Sequence, residues 1–334
     1  MFIVDSYALA VLFCVVTMIG WGSWANTLKM SSKEWAFPLY YWDYSIGLVL
    51  TSLIFGLTLG STGEAGRSFF TDLGQAEMSA IGAALLGGVI FNLSNLLIVA
   101  ATAIAGMSVA FPIAVGLALV IGVVVNYLGD PIGNPYLLFG GLILVVLAIL
   151  FNAKAYGKLP ANKEDNKTKG IVLSVFSGIL MGFFYRFVAE SMISDFSEPE
   201  SGFLTSYSAM FIFTLGILLS NFIFNTYFMY KPVTGGPVTY KDYFHLGSPK
   251  LHTIGLLGGI IWCIAMEFNL IASEKAGFAI SYGLGQGATM ISAAWGVFVW
   301  KEFAAAIKET GKLLTAMFTF FIFGLVLIVI ARLN

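Results

Sequence analysis

Nine stretches of this chain contain no Asp, Glu, Lys or Arg: residues 6–28, 44–63, 78–129, 131–153, 170–185, 201–230, 251–266, 276–300 and 313–331. Crossing the hydrocarbon core of a bilayer takes roughly 20 predominantly apolar residues in a helix, because lipid offers the backbone no hydrogen-bond partner. Most of these stretches meet that length, and 78–129 is long enough to cross twice, with "AATAIAGMS" offering a turn near Gly106. The pattern predicts an all-α membrane protein with ten transmembrane helices near 5–27, 37–59, 78–101, 104–128, 136–156, 170–189, 202–228, 253–273, 277–300 and 311–331.

Composition agrees. Hydrophobic residues make up 58% and charged residues 10%, with a mean hydropathy of +0.89, which leaves too little polar surface to cover a water-soluble domain of this length. The net charge of −1 gives a nucleic-acid partner no electrostatic support. Cys14 and Cys263 both sit in apolar runs without motif spacing and read as filling residues. No n-region, h-region and cleavage-site pattern precedes the first span, so the N-terminus reads as part of the mature protein.

With ten spans, the loops after the odd-numbered ones share a side and carry thirteen of the seventeen basic residues, from Lys29 and Lys33 through Lys163 and Lys169 to Lys312. Arg67, Arg186, Lys275 and Arg332 fall on the other side. Basic residues favour the cytoplasm, so both termini are expected outside it, in a multi-pass protein of the cell membrane. The hydrophilic segment 157–169 then becomes a cytoplasmic linker between two five-helix repeats, 1–156 and 170–334. Aligning Gly106 with Gly277 also brings Phe111 onto Tyr282 and Gly116 onto Gly287, and "DYS" at 43–45 matches "SYS" at 206–208. Two related halves with an odd number of spans cross the membrane in opposite senses. That is a 5+5 inverted repeat with its site between the halves, the architecture of a transporter.

Small residues recur every fourth position at Ala114, Ala118 and Gly122, at Ser174, Gly178 and Gly182, and at Ala279, Gly283 and Gly287. Such faces let helix backbones approach closely in lipid, for static contact or for sliding during transport. Polar side chains inside spans face the bundle interior or a watery cavity. Asn92 and Asn95 lie one turn apart, and Tyr282, Gln286 and Thr289 share a helix face at i, i+4 and i+7. Amide, phenol and hydroxyl groups can read a neutral hydrogen-bonding solute, or can tie helices together. Trp21, deeper than its neighbour Trp24, is either an interfacial anchor or a stacking platform for a flat ring.

Three charges fall within or near the spans. Asp43 is two turns into the second, as an interfacial anchor or a coupling group. Glu267 is deep in the eighth, where a carboxyl is able to exchange a proton, and Arg186 is near the outer end of the sixth. His245 and His252 lie in or beside a loop without a Cys, Asp or Glu cluster at ligand spacing, so no metal site is expected. No GxSxG, HExxH or GxxxxGK[ST] occurs, and no enzymatic activity or cofactor is expected.

"YYWDYSIGLVLT", "SNLLIVAATAIAGMSVAFPIAVGLALVIGVVVNYLGDPI" and "GQGATMISAAWGVFVWKEF" resemble the ureide permease family and its bacterial relatives, in the drug/metabolite transporter superfamily near the glucose/ribose porters. The resemblance runs over nearly the whole chain and rests on the joint order of Asp43-Tyr44-Ser45-Ile46, Asn126-Tyr127 with Asp130, and Gln286 ahead of Trp295-Gly296. It implies a carrier whose cavity is lined mainly by spans 1, 3, 4, 6, 8 and 9, importing small solutes, often with protons. Plant members of the family carry ureides and related heterocycles and have a long central loop, whereas residues 157–170 are short here. The expected function is secondary active, proton-coupled import of a small neutral polar solute, a ureide or nucleobase-like heterocycle, with a monosaccharide as the alternative. A metabolite exporter and a lipid-handling membrane protein are the further rivals. The expected partners are the small-molecule substrate and membrane lipid; the sequence does not decide between monomer and homodimer.

Overall fold

A computed structural model describes residues 1–159, 167–233 and 235–333. They form α1 (Tyr7–Ser23), α2 (Ala25–Ser31), α3 (Phe37–Leu57), α4 (Phe69–Gln75), α5 (Met78–Ala105), α6 (Met107–Gly129), α7 (Pro135–Tyr156), α8 (Lys167–Ser191), α9 (Ser206–Asn221), α10 (Phe224–Tyr230), α11 (Tyr240–Leu246), α12 (Pro249–Ala276), α13 (Phe278–Gly285), α14 (Ala288–Ala294) and α15 (Ile307–Ile330). Among the described residues the only extended pairing is one bridge between Met192 and Leu204. The protein is all-helical.

Among the described residues, eight helical segments are long and apolar enough to cross a membrane: α1 with α2, α5, α6, α7, α8, α9 with α10, α12 and α15. The expected spans at 37–59 and 277–300 are not among them. The first is a 21-residue helix, α3, but it opens on Pro38, Tyr40, Tyr41, Trp42, Asp43 and Tyr44, which dilute its apolar character. The second is not one helix. α13 stops at Gly285, α14 adds seven residues, and a π-helical turn follows from Trp295 to Val299. Gly283, Gly285 and Gly287 crowd this region, and glycine is the costliest ordinary residue to hold in a helix. Residues 160–166 of the expected linker lie outside the described residues, and α8 begins at Lys167.

The small-residue faces meet as the spacing predicts. A Cβ on Gly178 would come within 2.7 Å of the Ala114 carbonyl, and one on Gly182 within 2.6 Å of the Ile121 Cβ, so α6 and α8 touch backbone to backbone. In lipid, where apolar surface gains nothing by leaving its solvent, such contact is a main source of helix association.

Hydrogen bonds define two ends of the bundle. At one, Lys29 pairs with Glu302, whose other oxygen accepts from the Tyr156 hydroxyl at 3.1 Å, and the Trp300 indole donates to Asn26 Oδ1 at 2.6 Å. At the opposite end the Tyr7 hydroxyl donates to the Val329 carbonyl at 2.6 Å and Arg332 Nε to the Lys275 carbonyl at 3.0 Å. There, too, Arg67 ties three carbonyls, of Pro199, Glu200 and Phe203, and donates to Asp72 Oδ1 at 2.9 Å. Asp72 is fully buried and its other oxygen accepts from the Thr205 backbone and hydroxyl, so the α4 segment is clamped onto the start of α9.

Candidate functional site

A cavity of about 450 Å³ lies among α1, α2, α5, α6, α8, α12 and the α13–α14 break. Its walls are aromatic. Trp21 stacks on Trp262 with centroids 5.9 Å apart and planes 17° from parallel, and Trp262 packs on Phe91 at 4.6 Å. Phe111, Phe184 and Met181 line it as well. It extends to Leu28 and to exposed Ala103, toward the lysine-bearing end.

Few polar groups reach this apolar chamber, so each has a strong say in orienting a solute. Gln286 lines it from the point where α13 has ended and α14 has not begun. The backbone there turns tightly: the Gly287 N–H donates to the Leu284 carbonyl at 2.9 Å, and the Thr289 hydroxyl to the Gln286 carbonyl at 2.9 Å. Among the described residues the Gln286 amide makes no side-chain hydrogen bond, which leaves two donors and an acceptor for a ligand. Asn95 lines the chamber too and donates to the Tyr41 hydroxyl at 3.1 Å. The Trp21 indole N–H has no partner among the described residues.

Trp21, Asn95, Gln286 and Thr289 are thus brought together as the sequence suggests. Asn92 is not. It is fully buried and donates to the Ile217 carbonyl and the Ser220 hydroxyl at 3.2 and 2.8 Å, tying α5 to α9. Tyr282 does not line the chamber with Gln286 and Thr289, although the Gln286 N–H still donates to its carbonyl at 3.1 Å; the irregular turn falls after Gln286. The Tyr282 ring lies over Gly122, where a Cβ would come within 2.2 Å, and its hydroxyl meets the Ala118 and Met181 carbonyls at 3.2 Å.

The three charges sit apart from the chamber and from one another. Glu267 is fully buried on α12, and neither carboxyl oxygen has a hydrogen-bond partner among the described residues. Arg186 lines a separate pocket of about 360 Å³ near the lysine-poor end, with Asp130, Glu190, Glu274 and Phe278. Its Nε donates to Glu190 Oε1 at 2.9 Å. Burial pushes the Asp130 carboxyl above its ordinary range, against the pull of Arg186 and Arg332.

Asp43 is buried and held from two sides. It accepts from the Tyr243 hydroxyl at 2.5 Å and faces His252 Nδ1 at 2.9 and 3.0 Å. Trp35 closes the cluster edge-on to His252 at 5.3 Å. The sequence reading gave His252 no partner, since Asp43 lies 209 positions away; the one available signal was that both fall at the lysine-rich ends of their spans.

A helical bundle with, among the described residues, eight membrane-long segments, five of which line an aromatic chamber with sparse polar groups, has the build of a multi-pass membrane transporter. The chain belongs to the ureide permease family, whose model matches residues 40–170 and 161–331. It is 23% identical to ureide permease 1 of Arabidopsis thaliana over 96% of both chains, and 23% identical to ureide permease 2 of the same plant over the same shares. A shorter match, to transmembrane protein 144 homolog B of Dictyostelium discoideum, is 28% identical over 48% of this chain and 39% of that protein. A solved crystal structure of a protein 14% identical to it superposes with a TM-score of 0.62, covering 98% of this chain and 99% of the other, which shows a shared fold. The family and its Arabidopsis relatives are named as permeases, so transport and not catalysis is the family's activity.

Proposed function

We propose that this protein imports a small, neutral, planar polar solute, a ureide or nucleobase-like heterocycle, through a ten-helix 5+5 inverted repeat. The observation that carries the substrate class is the unsatisfied Gln286 amide facing the stacked Trp21–Trp262 pair. A flat ring gains by lying against an indole, and its amide edge matches a side chain that donates and accepts at once. The names of the Arabidopsis relatives support the same class.

Support for the repeat comes from Gly106 and Gly277. Both end a long helix at positive φ (78° and 84°) with nearly equal ψ (157° and 147°), and in each the N–H returns to the carbonyl four residues back. α3 and the broken 278–299 run would be the remaining two spans. Both termini would lie on the non-cytoplasmic side, by the distribution of lysine and arginine.

Coupling to protons is part of the proposal, with Glu267 as the group that binds the proton, because a fully buried carboxyl with no partner is costly to keep charged. Uptake of labelled allantoin, uracil, hydantoin, glucose, ribose and rhamnose into proteoliposomes, with and without an imposed proton gradient, tests both parts. Accumulation of the heterocycles only with the gradient, lost in Glu267→Gln while solute exchange persists, is the expected result. Uptake of the sugars alone would replace the substrate class, and heterocycle uptake indifferent to the gradient would remove the coupling.

A further inference from the structure

The central chamber and the pocket beside Arg186 are both lined by α6, α8, α12 and the run from α13 into α14, and on each of these a residue lies between those of the chamber and those of the pocket. On α8, Phe184 lines the chamber, Tyr185 follows, and Arg186 lines the outer pocket. On α12 the sequence runs from Trp262 in the chamber through Asn269 to Ser273 in the pocket. The α13 region runs the other way, from Phe278 in the pocket through Ser281 and Tyr282 to Gln286 in the chamber. On α6, Ala118 lines the chamber, Gly122 receives the Tyr282 ring, and Gly129 lines the pocket.

The middle residues form one connected layer. The Tyr185 hydroxyl donates to Asn269 Oδ1 at 2.6 Å and meets the Ser281 hydroxyl at 3.1 Å, while Asn269 Nδ2 donates to the Ser281 carbonyl at 2.8 Å. The Tyr185 and Tyr282 rings lie against each other at 5.1 Å, and the Tyr282 hydroxyl reaches α6 and α8. All four side chains are fully buried, so water from neither the chamber nor the pocket reaches them.

We infer that the chamber and the outer pocket are two halves of one solute path, and that Tyr185, Asn269, Ser281 and Tyr282 are the closed gate between them. The fixings suit a gate. Side-chain hydrogen bonds can be exchanged for bonds to water or solute at little net cost, whereas a layer of interlocked aliphatic side chains has no such exchange to make. Two further features belong to the same device. Gly122 supplies the recess that the Tyr282 ring occupies, and the Arg186 guanidinium lies so close over Gly129 that a Cβ there would come within 1.9 Å of Nη1. The pocket beyond the gate is then the vestibule from which a solute enters, while the chamber is open toward the lysine-bearing end.

Cysteine accessibility tests this without knowledge of the solute, so its outcome is separate from that of the substrate assignment. Ser194→Cys reports on the exposed rim of the vestibule and Val115→Cys on the chamber wall; native Cys14 and Cys263 are buried, and the parent protein sets the background. Each is treated with a small membrane-impermeant thiosulfonate from either face of oriented vesicles. The expected result is labelling of Ser194→Cys from the lysine-poor face and of Val115→Cys from the lysine-rich face. Adding Tyr185→Phe or Asn269→Ala should then raise the labelling rate of Val115→Cys from the lysine-poor face at least tenfold, with Ser194→Cys unchanged. If Ser194→Cys labels only from the cytoplasmic side and Val115→Cys only from the outside, the gate stands and the orientation of the chain in the membrane is reversed. Fast labelling of Val115→Cys from both faces without a gate substitution would overturn the inference, as would an unchanged rate in both gate variants whose Ser194→Cys reporter reacts normally.

Discussion

The Gln286 side chain is ready for a ligand because its amide lines the chamber and makes no side-chain hydrogen bond among the described residues. Replacing it with alanine should raise the apparent KM about tenfold, since a lost buried hydrogen bond costs roughly 1–3 kcal/mol, with the amount of protein in the membrane unchanged. Asn92→Ala should do the opposite, lowering the melting temperature in detergent and leaving KM alone, because its partners are the Ile217 carbonyl and Ser220. Uptake kinetics and thermal unfolding measured on the same two preparations separate the roles. Both residues were visible in the sequence as amides inside spans, and the rule that such groups turn inward held for each. Which amide binds helices and which faces a cavity depends on the partner opposite, and for Asn92 that partner is 125 to 128 positions away. Tyr185, Asn269 and Ser281 were legible under the same rule, and the sequence reading passed over them.

Among the elements, α11 is the one whose purpose is clearest from its ends. Thr239 and Asp242 form a reciprocal capping box, and the helix it starts places the Tyr243 hydroxyl on Asp43. The bonds from Thr239 hold the Asp242 carboxyl below the ordinary carboxylate range. A carboxyl lowered in the folded state contributes fully above its unfolded value of roughly 3.9, and the contribution fades as pH falls through the lower folded value. Protection of the α11 amides from hydrogen exchange, taken relative to their intrinsic rates, should therefore be constant from neutral pH down to about 4 and fall below it. In Thr239→Ala, α11 should exchange faster at every pH, and the same variant should loosen Tyr243 from Asp43. The capping box could be read from the sequence; the break after Gly285 could not, because glycine is common in membrane helices and marks a break in only some of them.

At the scale of the whole molecule, the apolar stretches were enough to predict a helical membrane bundle. The chamber was legible only as a list of polar residues, since its aromatic walls come from helices far apart in the chain. Those walls carry a thermodynamic consequence. Trp21, Trp262, Phe91 and Phe184 surround the chamber, and none of Asp43, Glu267 or Arg186 lines it. A solute that fills it covers apolar surface and meets no fixed charge. Titration calorimetry on the purified protein should therefore give a negative heat-capacity change on binding, and affinity should be nearly flat in ionic strength from about 0.01 to 1 M salt, across which the Debye length contracts about tenfold. A steep salt dependence would mean that the solute carries charge and is met by one of those three side chains. The absence of such dependence would make this a carrier that selects its cargo by shape and hydration, equally at home in dilute and in saline surroundings.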